Sequence, residues 1–370
     1  MTDVDVAVIG AGAVGLACAA RLARAGRSVV VVERHRSAGQ ETSSRNSGVI
    51  HAGLYYPTGS LKAVTCVEGR ELLYARCQKH GVPHRKTGKV LVATDAAETA
   101  KLEAIFTRGV ENGAGALRML DANEVYALEP RVRAVAGLLS PETGIVDAHG
   151  LMDSYKAEAA AHGAEISWAT NVEALERRDV GWRVVTRGTD GTPFVLEAAW
   201  VVNAAGLAAD RIAALAGMDV DALGLRLHPC KGDYFALAPR LRGIASRLIY
   251  PVPVQAGLGI HITLDLGGKL AAGPDTEYVD RVHYDIDATK AAAFGAAIRR
   301  YLPEVRDEDL TPDYAGVRPK LQGPGQDFRD FVIEEASTHG APGLINLIGI
   351  ESPGLTASEA IAHRVAEMIG

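Results

Sequence analysis

Three glycines and one acid carry the first chemical signal. Gly10, Gly12 and Gly15 stand in the spacing Gly-x-Gly-x-x-Gly, and Glu33 follows one strand later. Glycine at 10 permits a tight turn, glycine at 12 leaves no Cβ between the backbone and a pyrophosphate, and glycine at 15 lets a helix press against a strand. A carboxylate at 33 would accept both hydroxyls of an adenosine ribose and repel a 2′-phosphate. The chemistry is dinucleotide binding, and it needs a βαβ unit around it. Val4 to Ile9 is a short apolar run suited to a strand buried on both faces of a parallel sheet. Ala13 to Ala25 reads as the helix whose N-terminal N–H groups and positive dipole end would face the phosphates. Gly26 stops it, Ser28 to Val32 is a second buried strand, and Arg34 follows the acid. Strand, turn, helix, strand and acid in that order separate this motif from an ordinary glycine-rich turn.

The chain has 370 residues, beyond the usual single-core size, so two domains are expected. Hydrophobic residues make up 48%, enough for a well-filled interior. A formal charge of −6 with no long single-sign block excludes the electrostatic footprint of a nucleic-acid binder. Cys18, Cys66, Cys77 and Cys230 form no CxxC pair and have no metal-type spacing with histidine, so no metal site is expected. They read as reduced packing residues, which places the protein in the cytoplasm. The acidic N-terminal flank and glycine-broken apolar run argue against a signal peptide. No run has the length of a membrane span, leaving peripheral membrane contact open.

Along the chain, a polar passage rich in Gly and Ser has at its heart Thr42-Ser43-Ser44-Arg-Asn46-Ser47-Gly48-Val-Ile-His51, suited to a backbone lying along a cofactor. Ser60 to Gly81 is helical, with Leu61, Val64, Val67, Leu72, Leu73 and Cys77 near one stripe. A strand at 89–93, a helix at 95–113, a short helix at 121–128 and a strand at 135–139 read as an inserted cap. Then follow a helix at 149–163, strands at 165–168 and 172–176 (starting at Val172), a pair at 182–187 and 194–196, and a strand-to-glycine turn at 200–206. That turn ends in Ala205-Gly206 and leads to a helix at 207–216, suiting a strand that returns to the same cofactor. From 225 to 275 the pattern is β-rich, with strands at 233–237, 248–252, 258–264 and 269–272. A helix at 288–301, a coil-like Gly316-Val-Arg-Pro-Lys320, strands at 331–334 and 344–348 and a helix at 357–369 complete the chain.

With these residues in hand, the sequence resembles FAD-dependent oxidoreductases of the D-amino-acid-oxidase (DAO) family, and within it L-2-hydroxyglutarate dehydrogenases and oxidases. The motifs that carry the likeness are the Gly10 fingerprint, SRNSGVIHAGLYYPTGSLKA at 44–63, GDYFAL at 232–237, GIHIT at 259–263, AGP at 272–274, GVRP at 316–319 and NLIGIESPGLT at 346–356. The resemblance implies a mixed α/β fold: a Rossmann-like FAD-binding domain, as in the glutathione-reductase-like flavoproteins, with a β-rich substrate cap. It implies FAD, and oxidation of a small 2-hydroxy acid at flavin N5, with oxygen, a quinone or an electron carrier as acceptor. The domain division expected is 1–80, 140–218 and 320–370 for FAD, with 81–139 and 219–319 for the cap.

Removing hydride from C2 of a 2-hydroxy acid requires a held carboxylate, an aimed C–H and a base for the hydroxyl proton. Arg318, fixed between Val and Pro, is the expected carboxylate clamp, because guanidinium binds carboxylate through two parallel bonds. His51, in the loop expected to pass the flavin, and His261, on an alternating strand, are the base candidates. Tyr55 and Tyr234 are expected to line the substrate pocket. Gly349, Ser352, Pro353, Gly354, Leu355 and Thr356, ahead of the last helix, would bring backbone N–H groups to the flavin's pyrimidine side, where reduced flavin gathers negative charge. Two rivals remain at this stage: an amine or amino-acid oxidase of the same fold, with Arg318 in the same role, and a nucleotide-binding protein without turnover.

Overall fold

The computed structural model describes residues 2–253 and 259–370. Five parallel strands form the heart of the first sheet, in the order 165–167, 29–32, 4–9, 193–203 and 344–348. An antiparallel meander of 170–177 and 182–188 joins one part of the long Pro193–Asn203 strand, and Val332–Glu335 closes the far edge against 344–348. The strand pieces read separately at 194–196 and 200–203 are one element, because Glu197 and Ala198 carry the ladder on.

Helix Ala13–Arg24 lies against this sheet together with Ala148–Ala161 and Gly354–Ile369. Its apolar face, with Leu16, Ala19, Ala20 and Ala23, is buried with Val6, Val8 and Val31 of the strands. Helix Leu61–His80 starts on Ser60, whose side chain accepts the Ala63 N–H, and ends on left-handed Gly81. Its buried face differs from the expected stripe. Val64 is 43% exposed, and the inner face includes Lys62, Cys66, Gly69, Leu73, Arg76 and Cys77. The reason is its partner: helix Gly354–Ile369 approaches so closely that a Cβ on Gly69 would lie 2.4 Å from the Thr356 carbonyl oxygen.

A second sheet of nine strands is mostly antiparallel and runs 277–278, 228–237, 270–273, 261–264, 248–251, 89–93, 136–140 and 118–121, with 310–320 on the other side of 228–237. Here the sequence reading needs correction. Gly316–Lys320 is no coil but the end of the 310–320 strand, paired along its length with His228–Leu237. Its prolines are compatible with this because, among the described residues, the strand pairs on one side only. The 258–264 strand is observed as His261–Leu264, and residue 258 lies outside the described residues. A small sheet of 49–50, 144–146 and 84–85 completes the β structure. Among the described residues no helix is long and apolar enough to cross a membrane.

Gly69→Val should lower the melting temperature through a loss of about 1–3 kcal/mol, the usual cost of overpacking. Thermal unfolding followed by circular dichroism checks this. An unchanged melting temperature would show that the two helices separate without cost.

Candidate active site

The carboxyl ends of strands 4–9, 29–32 and 193–203 open onto one cleft with about 1870 Å³ of empty space. The crevice beyond the carboxyl ends of parallel strands is where such a fold binds nucleotides.

One end is built by the glycine turn. Gly10 has φ +104°, and a Cβ there would lie 2.6 Å from the Ala204 carbonyl oxygen. A Cβ on Gly15 would fall 2.0 Å from the Gly10 carbonyl oxygen, so the helix starts pressed onto the turn. The missing Cβ of Gly12 makes room for Ser43 Oγ, which would otherwise be 2.9 Å away. Ser43 Oγ accepts the Ala13 N–H at 3.0 Å, right at the helix N-terminus. The buried Glu33 carboxylate accepts the Ala11 N–H (2.7 Å) and the His35 N–H (2.8 Å), one on each oxygen. Each oxygen keeps acceptor capacity for a ribose hydroxyl.

The loop after Glu33 is braced by its own side chains. Asn46 donates from Nδ2 to the Ser43 carbonyl (2.7 Å) and accepts the Gly48 N–H (2.8 Å), while Thr42 donates to the Val317 carbonyl (3.1 Å). Thr42, Ser43, Asn46 and Ser47 face the cleft with Arg34, Val172, Ala205 and Gly206, and Ser352 to Leu355 face it where the last helix begins. Ser44 turns aside to the Glu41 carbonyl. Gly15, Gly48, Gly349 and Thr356 stand behind the wall, where Thr356 Oγ1 accepts the His51 N–H at 3.0 Å. A glycine cradle, a helix N-terminus whose N-cap residue Gly12 has no side chain, and a pinned acid at the strand end fit FAD.

The other end carries charge. Arg318 is half-buried on the 310–320 strand, and its Nη2 donates to the Asp275 carbonyl (3.1 Å) and to Thr276 Oγ1 (3.3 Å). Among the described residues it has no ion-pair partner. Burial works against its charge, but Cys230, Glu351, Tyr234 and Tyr278 outweigh that and raise its pKa. In the same cleft, the buried His261 ring stacks on Tyr250 at 3.8 Å between centroids, with Nδ1 3.1 Å from the Gly259 carbonyl oxygen. His51 Nε2 lies 3.2 Å from Ser352 Oγ. Burial, with Lys89 adding to it, pushes both imidazoles down to about 3, so both are neutral at neutral pH.

Tyr234 lines the cleft, stacked at 4.3 Å on Tyr314, whose hydroxyl donates to the Asn46 carbonyl. Tyr55 stands behind the wall, where its hydroxyl takes a hydrogen bond from Lys89 Nζ (3.3 Å). The structure thus brings Arg318, both histidines, Tyr234 and Ser352 into one cleft. Sequence reasoning missed Tyr250 and Lys89, which look like ordinary residues of apolar strands. Asp233, Asp275 and Glu277 bring carboxylate oxygens together, and Lys290 Nζ sits among them at 2.8, 2.8 and 2.6 Å.

A parallel-sheet nucleotide cradle sharing its cleft with an antiparallel cap sheet is the build of a flavin-dependent oxidoreductase. The chain belongs to the FAD dependent oxidoreductase family DAO, whose model it matches over residues 5–368. Its cofactor is accordingly FAD. Among similar proteins is the L-2-hydroxyglutarate dehydrogenase, mitochondrial, of Arabidopsis thaliana, 40% identical over 98% of this chain and 83% of that protein. The protein of the same name from Caenorhabditis elegans is 31% identical over 98% and 92%. The FAD-bound L-alpha-glycerophosphate oxidase of Mycoplasma pneumoniae superposes with a TM-score of 0.89 at 27% identity, covering 99% of this chain and 94% of that one. Glycine oxidase from Geobacillus kaustophilus, TM-score 0.82 at 22% identity over 100% and 95%, shares the fold. These relatives correct one expectation: the cytoplasmic placement drawn from reduced cysteines is set aside, because the L-2-hydroxyglutarate dehydrogenases are named mitochondrial.

Glu33→Gln keeps the side chain's shape and removes its charge. It should weaken FAD binding about tenfold or more, the loss of one charge-assisted hydrogen bond of about 1.5–3 kcal/mol. Equilibrium binding followed by flavin fluorescence measures this, and an unchanged dissociation constant would leave the acid with only its contacts to Ala11 and His35.

Proposed function

We propose that this enzyme oxidises a small 2-hydroxy acid of the L-2-hydroxyglutarate kind to the 2-keto acid. The observation that carries the reading is Arg318, a cleft-facing guanidinium with no carboxylate partner among the described residues, in one cleft with two neutral imidazoles. Bound FAD supplies the hydride acceptor, flavin N5. Arg318 holds the substrate carboxylate through two parallel N–H donors, and its bonds to the 275–276 backbone and hydroxyl keep the guanidinium plane fixed. One imidazole accepts the hydroxyl proton as the C2 hydrogen leaves with its electron pair, and the C–O bond becomes the carbonyl. His261 is placed for this if Nδ1 donates to Gly259, which leaves Nε2 as acceptor; His51 is placed for it through Ser352. Tyr234 shapes the pocket between the clamp and the loop.

The same reading divides the chain into an FAD-binding domain of 1–80, 140–218 and 320–370 and a cap of 81–139 and 219–319, supported by the membership of the two large sheets. The second partner is an electron acceptor, with oxygen, a quinone or an electron carrier as the classes to test. Peripheral membrane contact belongs with the quinone case.

Arg318→Lys keeps charge but loses the paired geometry. It should raise the substrate concentration needed for half-maximal flavin reduction at least tenfold while FAD content stays normal. His51→Gln and His261→Gln separate the base: the correct one slows flavin reduction by about 10²–10⁴-fold in stopped-flow measurements. Unaltered half-saturation in the Arg318 variant would remove the clamp, and full rates in both glutamine variants would remove histidine from the proton transfer.

A further inference from the structure

Three arginines line the cleft, and two of them are held by neighbours. Arg34 pairs with Glu41, and Arg318 rests on the Asp275 carbonyl and Thr276. Arg45 is different. Among the described residues its guanidinium makes no ion pair and no hydrogen bond, and its Nε is shielded from solvent without a partner. Glu41, the acid nearest to it in sequence, is already taken by Arg34 and by His35 at 3.2 Å. A shielded donor left unmet costs stability, so this side chain is placed for an acceptor that comes from outside the chain.

The loop does not need the Arg45 side chain to hold its shape. The Arg45 N–H donates to the Thr42 carbonyl, and the Arg45 carbonyl oxygen packs against Gly316, where a Cβ would lie 2.3 Å away. Asn46 braces the turn from the next position. The side chain instead lies over the Tyr284 ring, with its guanidinium carbon 4.0 Å from the ring centre. Tyr284 stands between strand 277–278 of the second sheet and the turn at 288–290. Arg45 lines the cleft and Tyr284 does not, so the ring backs the guanidinium from outside. A contact of this kind occupies the face of a guanidinium and spares the N–H donors on its edge.

The place identifies the acceptor. Two positions before Arg45, Ser43 Oγ takes the Ala13 N–H at the start of helix Ala13–Arg24, the end at which this fold holds a diphosphate. Phosphate oxygens match the parallel donors of a guanidinium. The glycine turn and helix offer backbone N–H groups, while Arg34 has its charge met by Glu41. We infer that Arg45 binds the FAD diphosphate and that Tyr284 is its positioning residue. The connection that follows strand 277–278 of the second sheet is thereby tied to the cofactor cradled by the first.

The dissociation constant of FAD from the full chain, followed by flavin fluorescence, tests this without turnover. Arg45→Met should weaken FAD binding about tenfold or more, the loss of a charge-assisted contact, and should flatten the rise of the constant with added salt. Tyr284→Phe keeps the ring face and should match the wild type. Tyr284→Leu removes it and should weaken binding about two- to fivefold, the range of an exposed cation–aromatic contact. Because Tyr284 acts through Arg45, adding Tyr284→Leu to Arg45→Met should cost nothing further. If Arg45→Met does not fold, Arg45→Gln serves as the neutral variant. An FAD constant and salt dependence that stay unchanged in the neutral variant overturn the inference. If the substrate concentration for half-maximal flavin reduction rises in that variant instead, Arg45 belongs to the substrate and not to FAD. Losses that simply add in the double variant remove Tyr284 from the role.

Discussion

The contact on which the rest depends is the one between the Gly10 carbonyl and the backbone of Gly15, where any Cβ would lie 2.0 Å from the oxygen. It sets the start of helix Ala13–Arg24 directly on the turn leaving strand Val4–Ile9. The N-terminal N–H groups of the helix then point to the place where two neighbouring strands also end. Gly12 lets Ser43 approach the same spot, and Glu33 reaches back to the Ala11 N–H. A backbone site made this way suits a pyrophosphate.

At the other end of the cleft, partnered and unpartnered charges are kept apart. Glu351 is satisfied by Lys62 and Lys320, and Lys290 sits among three acids, bracing the Pro274–Thr276 segment that lines the cleft. Arg318 rests on that same segment through the Asp275 carbonyl and Thr276, so its own charge remains free for a ligand. Buried ion pairs seldom add much net stability, because desolvation offsets the attraction. Their value here is geometric: they fix the ground on which an open guanidinium stands.

Much of this was legible in the sequence where local chemistry decides the structure. The strand at Val4–Ile9, the capped helix from Leu61 to His80 and the strand at Leu344–Ile348 follow from apolar runs, a serine cap and a glycine stop. The glycine fingerprint and Glu33 sit where their spacing placed them. What escaped is set by distant partners. Gly316–Lys320 reads as coil because of its glycine and proline, yet pairing with His228–Leu237 makes it a strand and aims Arg318 into the cleft. The inner face of helix Leu61–His80 is chosen by helix Gly354–Ile369, almost three hundred positions away, which is why Gly69 and Arg76 are buried while Val64 is exposed. Lys89 and Tyr250 carry no signal at all in an apolar strand, since only the folded chain reveals which ring a lysine faces.

The central claim is that the Arg318 end of the cleft receives a 2-hydroxy acid and passes its hydride to FAD. Anaerobic addition of L-2-hydroxyglutarate to the FAD-loaded protein, followed by the visible flavin absorbance, tests it most directly. The account predicts bleaching with L-2-hydroxyglutarate and none with glycine or D-amino acids at the same concentration. Bleaching by the amino acids with an unchanged spectrum in the hydroxy acid would contradict it.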